Sequence, residues 1–151
     1  KSHVLRIIRE LIEFKPKSKK TNIAAALKFL SSVLKKRAIV FMLSDFMDDA
    51  YEKTLKIAAK KHDLTGIRIF DNCDEEIPNL GMVPMIDSET GAVQLVNTAS
   101  KAVRTSYKTN ALKLSNYYTD TFKKSGAGSV NTSVDENYVK KLLGYFKHKG
   151  R

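Results

Sequence analysis

A short apolar run with an acidic residue at its end constrains the fold of this chain more than any other feature. Residues 38–44 read AIVFMLS, without the alternation of apolar and polar residues that a half-exposed strand shows. This pattern predicts a strand buried on both faces, as in a parallel sheet covered by helices. Ligands of such sheets bind beyond the carboxyl ends of the strands, where Asp45 follows this run. A carboxylate there predicts a catalytic acid or base, or a metal ligand, and Thr21 upstream offers a second oxygen.

The remaining elements alternate in the way that predicts an α/β fold with a mainly parallel sheet and a β-hairpin. Apolar residues at helical spacing predict helices that cover about residues 2–14, 22–34, 48–61, 100–124 and 135–146. The residues expected to start the last four helices are Thr21 or Asn22, Asp48 or Asp49, Ser100, and Asp135. Further strands are predicted at residues 65–70 and 129–133, and a hairpin is predicted from runs 82–86 and 92–96.

The first predicted strand is expected to lie at an open edge of the sheet. Only the strands at 38–44, 65–70 and 129–133 are candidates for the parallel sheet, so the buried-type run at 38–44 lacks a neighbour on one side. Because an exposed apolar edge is an association site, self-association through this edge is predicted. The alternative is that strands upstream cover the edge. The first residue is not Met, so we expect residues 1–151 to be one domain that is a fragment of a longer one.

Composition excludes several classes of protein. The chain has 151 residues, of which 42% are apolar, and no apolar run approaches the ~20 residues that span a bilayer. Cys73 is the single cysteine, which rules out an internal disulfide framework and predicts a reducing, cytoplasmic compartment. The acidic neighbours of Cys73 raise the pKa of a thiol, which argues against a nucleophile there.

The net charge of +11 invites a nucleic-acid interpretation, which the distribution of the cations does not favour. The positive residues fall mostly at predicted helix ends, where they complement the helix dipole. The sequence has no aromatic strand pattern of the RRM type and no Gly-x-x-Gly clamp. Solubility and helix-end charge are therefore the preferred explanation, and an acidic partner surface is the alternative.

Four stretches resemble a known family. They are residues 20–27 (KTNIAAAL), residues 39–46 (IVFMLSDF), residues 59–64 (AKKHDL) with 68–71 (RIFD), and residues 86–91 (IDSETG). The first two resemble the threonine loop and the late aspartate strand of von Willebrand factor A-like domains. Together the four resemble the domain-of-unknown-function fifty-eight family, bacterial proteins often encoded beside MoxR-type AAA+ ATPases. The likeness runs from about Val4 to Phe146.

The resemblance implies a partial von Willebrand A-like, Rossmann-type fold of three layers with a metal-ion-dependent adhesion site. That site uses an Asp-x-Ser-x-Ser segment, a threonine and a further aspartate. By position, Thr21 matches the threonine and Asp45 the last aspartate. Asp-x-Ser-x-Ser itself is absent, and its nearest fragment is Asp87-Ser88-Glu89 in the hairpin loop. The resemblance therefore implies Mg²⁺ in the full-length domain and none in this fragment, which offers too few ligands.

These observations favour a protein–protein interaction module, not an enzyme, with a MoxR-type AAA+ ATPase as the partner that the resemblance implies. The first alternative is a metal-dependent phosphotransfer or hydrolase domain that uses Asp45, Asp48 and Asp49. The chain lacks a Gly-rich phosphate loop, and its three histidines are scattered, so this alternative lacks its other parts. The second alternative is a nonspecific nucleic-acid binder, supported by charge alone.

Overall fold

The computed structural model describes residues 2–15, 21–87 and 90–149, which form six helices and five strands. In chain order these are α1 (Ser2–Glu13), α2 (Ile23–Val33), β1 (Ile39–Ser44), α3 (Glu52–Lys61), β2 (Asp63–Phe70), α4 (Asn72–Glu75), β3 (Met82–Ile86), β4 (Val93–Asn97), α5 (Lys101–Lys124), β5 (Gly128–Ser133) and α6 (Tyr138–Lys149). The predicted order is confirmed. The short helix α4 stands where the sequence suggested only an acidic loop.

The strands form a three-stranded parallel sheet and a separate two-stranded hairpin. The order in the sheet is β1-β2-β5, and β3 pairs antiparallel with β4. Val40 lies opposite Leu64, and Gly66 lies opposite Ser129. This is a mixed α/β fold of the Rossmann-like kind, as predicted, and β1 is an edge strand of its sheet.

One face of the sheet carries the main core. Ten buried residues form a single cluster, and they come from helices α2, α3 and α5, from strands β1 and β2, and from the loop after β1. They are Ile23, Leu27, Val40, Phe46, Tyr51, Leu55, Ala58, Leu64, Tyr118 and Phe122. Helix α5 approaches β2 so closely that a Cβ on Gly66 would lie 2.4 Å from Cε1 of Phe122. The Tyr118 hydroxyl donates to the Gly66 carbonyl at 2.9 Å. Glycine at this position is what allows the helix to pack on the strand.

The opposite face is covered by α6 only in part, so the prediction that β1 is buried on both faces is wrong. Phe146 of α6 meets Phe41 edge-to-face at 5.7 Å, and the Tyr145 hydroxyl lies 3.2 Å from Thr65 Oγ1. Beyond these contacts, Ile39 and Leu43 are 69% and 64% exposed. The apolar run identified a strand but carries no information on how many helices cover it.

One predicted helix start is confirmed and two differ from the prediction. Helix α2 is capped by Asn22, whose Oδ1 accepts from the Ala25 N–H at 2.8 Å. Helix α3 follows Tyr51, which makes no side-chain cap bond, instead of Asp48 or Asp49. Before α6, Asn137 Oδ1 accepts from the Lys140 N–H at 3.1 Å, so Asn137 takes the role predicted for Asp135. Asn22 is one of the two caps predicted for α2, whereas the cap of α6 lies two residues later than predicted.

Two predicted features lie at least partly outside the described residues. They are the basic loop, of which residues 16–20 are not described, and the hairpin loop, of which residues 88 and 89 are not described. Within the described ranges, no helix has the length and apolar character needed to cross a bilayer.

Candidate functional site

The turn after β1 presents Asp45 at the carboxyl end of the sheet. Asp45 is exposed. Its Oδ1 accepts hydrogen bonds from the Ser44 hydroxyl and from the Met47 N–H, both at 3.2 Å. The Phe46 N–H in turn donates to Ser44 Oγ at 3.0 Å. A short hydrogen-bonded turn of this type fixes a carboxylate without engaging all of its acceptor sites.

Phe46 anchors this turn in the core. Its φ of 55° lies in the left-handed region, which is a genuine outlier for a bulky side chain. Its ring is 1% exposed and lies 4.4 Å from the Tyr118 ring and 5.2 Å from the Phe122 ring, between centroids. Backbone strain of this kind costs about 1–3 kcal/mol and persists where the surroundings over-determine it. The aromatic packing of Phe46 therefore holds Asp45 at the rim, and nothing in the sequence pattern revealed it.

Asp48 joins the start of α2 to the loop after β1. Its Oδ2 accepts from the Ile23 N–H at 2.9 Å, and its Oδ1 accepts from the Ala50 N–H at 3.2 Å. Thr21 lies two residues before Ile23 and is exposed. The structure thus brings the segment that carries Thr21 and the loop that carries Asp45 to the same edge of the sheet.

A buried arginine, which the sequence analysis missed, links three elements at this edge. Arg68 of β2 is 3% exposed. Its Nη1 donates to Glu75 Oε1 at 3.0 Å and to Ser115 Oγ at 3.3 Å, and its Nε donates to the Asp45 carbonyl at 3.3 Å. A guanidinium buried this deeply requires such partners. The available signal was one cation inside the apolar strand at 65–70.

The carboxyl ends of the three parallel strands together form what we call the acidic rim. Its loops carry nine of the sixteen acidic residues of the chain: Asp45, Asp48, Asp49, Asp71, Asp74, Glu75, Glu76, Asp135 and Glu136. The hydrogen bond from Lys108 lowers the pKa of Glu76, and that from Lys141 lowers the pKa of Glu136. The hydrogen bond with Asp71 raises the pKa of Cys73, in agreement with the expectation that this thiol is not a nucleophile.

The described side chains at the rim do not make a complete metal site. No three His, Cys, Asp or Glu side chains of the described residues lie close enough together to hold a metal ion. Thr21 and Asp45 offer two oxygen donors, whereas Mg²⁺ demands near-octahedral coordination. These residues fit one corner of such a site, and their role as ligands stays a prediction.

Comparisons with known proteins give one family and two individual similarities. The family model described as "Protein of unknown function DUF58" matches residues 1–117, which include Thr21 and Asp45 and end within α5. An uncharacterised protein of Mycobacterium avium is 23% identical over 131 residues, 86% of this chain and 77% of that protein. The crystal structure of a conserved hypothetical protein, BatB from Bacteroides thetaiotaomicron, matches 85% of this chain with a TM-score of 0.43 and 15% identity. This chain spans 58% of the length of that structure.

Proposed function

The chain belongs to the DUF58 family of proteins of unknown function, and from this premise we propose that it is a protein-binding module of the von Willebrand A type. The proposed binding surface is the acidic rim, with Asp45 at its centre. The observation that carries the proposal is the exposure of Asp45 on a turn anchored by the buried Phe46. A rigidly held and accessible carboxylate suits recognition, because little conformational freedom is lost when a partner binds.

Charge at the rim indicates what a partner must present. Three of the nine rim carboxylates form ion pairs with Arg68, Lys108 and Lys141, and the other six favour cations on the partner surface, or an ion shared with it. We assign the partner to the class implied by the resemblance, a MoxR-type AAA+ ATPase. In the full-length domain Thr21 and Asp45 would hold Mg²⁺ together with oxygens from outside the described residues. Such an ion would supply a hard positive charge for a carboxylate of the partner.

The test measures binding to a MoxR-type AAA+ ATPase by titration calorimetry, with Mg²⁺ and with EDTA. Asp45→Asn keeps a side-chain oxygen that can accept from the Met47 N–H but removes the charge. We expect it to weaken binding about ten-fold or more, the usual range for losing a charged contact. Asp120→Asn, which removes an exposed carboxylate on α5 away from the rim, is the matched control and should change affinity less than two-fold.

Three results would count against this proposal. No measurable binding of the ATPase would reject the partner, and equal losses in the two variants would reject Asp45 as the centre of the surface. Binding that is unchanged in EDTA would reject the shared ion while leaving a direct contact between protein surfaces.

We also propose that the domain is not an enzyme. The alternative reaction needs free carboxylates at Asp45, Asp48 and Asp49, but both oxygens of Asp48 accept backbone N–H bonds. Asp48 therefore serves the fold and is a poor candidate for a general base. Turnover of a phosphoester that disappears in both Asp45→Asn and Asp49→Asn would establish the enzyme alternative instead.

A further inference from the structure

Four helices end at the edge of the sheet opposite the acidic rim. Helices α2, α3 and α6 start in or beside loops at the rim and run antiparallel to the strands, and α5 ends just before β5 begins. Two contacts fix these ends together. Lys61 Nζ donates to the Ser31 carbonyl at 3.1 Å, and Lys149 Nζ lies 2.7 Å from Asp63 Oδ1 at the start of β2. The amino ends of the strands and the carboxyl ends of the helices therefore share one surface.

This surface, which we call the basic edge, concentrates the positive charge of the molecule. It carries nine of the 27 lysines and arginines: Lys35, Lys36, Arg37, Lys60, Lys61, Lys123, Lys124, Lys147 and Lys149. Eight of the nine residues are exposed and Lys61 is half-buried. Two acidic residues lie close to these cations. Asp63 pairs with Lys149, and Asp120 lies one turn before the end of α5.

Helix dipoles alone do not account for this concentration. A cation in the last turn of a helix is favourable, and each of the four helices on its own needs only one or two. The fold brings the cations at the ends of all four helices onto one edge of the sheet. Because neighbouring strands are only about 4.8 Å apart there, these cations repel one another. An anionic partner surface removes that repulsion.

Apolar side chains flank the basic edge on α2. Phe29 and Val33 lie on the last two turns of this helix and are 71% and 57% exposed. Val33 lies two positions and Phe29 six positions before Lys35, which begins the run of Lys35, Lys36 and Arg37. Lysines beside exposed aromatic and aliphatic side chains are the combination that binds the interface of a lipid bilayer.

We propose that the basic edge binds the surface of an anionic phospholipid bilayer, with Phe29 and Val33 entering the headgroup region. Eight of its nine cations are lysines, which act as point charges suited to a fluid array of phosphates. Nucleic-acid recognition more often uses the guanidinium group of arginine, which makes bidentate hydrogen bonds. Val33 gains nothing from a solvated phosphate backbone, whereas a bilayer removes its side chain from water. In this orientation the acidic rim points away from the bilayer.

The experiment is co-sedimentation of the whole chain with vesicles of phosphatidylcholine, alone or with about 30% phosphatidylglycerol. We expect binding to the anionic vesicles only, and at least a ten-fold loss of affinity between about 50 and 300 mM NaCl. Each cation near such a surface contributes about five-fold to binding. Replacement of Lys35, Lys36, Lys123 and Lys124 by Gln should therefore weaken binding by up to about 600-fold.

A matched variant removes four exposed lysines that lie away from the basic edge, in the first half or at the middle of their helices: Lys53, Lys101, Lys113 and Lys140, each changed to Gln. It has the same net charge and should lose less than about three-fold in affinity. Circular dichroism establishes that both variants are folded. Phe29→Ala should weaken vesicle binding about three-fold, and Leu112→Ala, exposed on the middle of α5, should leave it unchanged.

Three outcomes overturn the proposal. The first is equal binding to neutral and anionic vesicles, and the second is equal losses in the two quadruple variants. The third is tighter binding to duplex DNA than to vesicles, with Phe29→Ala affecting neither, which would assign the basic edge to nucleic acid. None of these measurements involves Asp45, so the result is independent of the proposal for the acidic rim.

Discussion

At the scale of single residues, Phe46 determines whether the turn that carries Asp45 exists. Phe46→Ala removes a ring that is 1% exposed, and we expect unfolding to become easier by about 3–5 kcal/mol. Phe46→Gly removes one carbon more, but glycine adopts the φ of 55° without strain. We therefore expect Phe46→Gly to be no less stable than Phe46→Ala in urea unfolding. If the free energy of unfolding of Phe46→Gly were lower than that of Phe46→Ala by more than about 1 kcal/mol, the backbone at this position would not be strained.

Asp48 gives a second prediction at this scale, because its carboxylate receives the first N–H of α2. Asp48→Ala leaves the Ile23 and Ala50 N–H groups without this acceptor and should lower the free energy of unfolding by about 0.5–2 kcal/mol. Amide hydrogen exchange at Ile23 should accelerate in this variant. Asp49→Ala removes an exposed neighbouring carboxylate and serves as the control. Equal exchange rates at Ile23 in both variants would contradict the assignment.

What could be predicted about these residues depended on whether their partners are close in sequence. Asp45 was found because the end of an apolar strand is visible in the sequence. Asp48 was mistaken for a helix cap because its true partner, the Ile23 N–H, lies 25 positions away. Arg68 was missed for the same reason, since Asp45 and Ser115 are 23 and 47 positions from it.

At the scale of elements, strand β1 leaves an edge and part of a face exposed, so we expect the chain to self-associate there. Ile39 is 69% exposed on this strand, and a lysine at an edge opposes strand pairing. Ile39→Lys should weaken association about ten-fold, measured by sedimentation equilibrium over a range of concentrations. Ile57→Lys places the same charge at a 64% exposed site on α3 and should leave association unchanged. A chain that is strictly monomeric without any substitution would contradict this prediction.

The elements themselves were largely predictable, whereas their burial was not. Apolar runs and helical spacing located all three parallel strands and the hairpin, because these patterns are set by neighbours along the chain. The exposure of β1 depends on which helices lie across the sheet, and the contact of Phe41 with α6 leaves Ile39 and Leu43 exposed. Whether a face is covered is a property of the assembled layers, which a strand's own sequence does not contain.

At the scale of the whole molecule, charge is separated along the direction of the strands, with the acidic rim at one end and the basic edge at the other. The sequence showed cations at helix ends, and their meeting on one surface follows from the parallel topology. Two unit charges 10 Å apart in water repel by about 0.4 kcal/mol, and each of nine cations faces eight others. A favourable helix-end contact contributes about 0.3–1 kcal/mol for each helix. Repulsion at the basic edge is therefore the larger effect at low salt.

Because salt screens this repulsion, the folded chain should become more stable as salt is added. We expect the free energy of unfolding to rise by about 1–2 kcal/mol between about 10 and 300 mM NaCl, measured by urea unfolding in the absence of lipid. The variant with Gln at Lys35, Lys36, Lys123 and Lys124 should lose at least half of this gain, because the charges that salt screens are gone. The variant with Gln at Lys53, Lys101, Lys113 and Lys140 should keep most of it. If stability falls with salt, or if the two variants respond alike, the favourable contacts with the helix dipoles dominate. Repulsion between the cations of the basic edge then does not destabilise the fold.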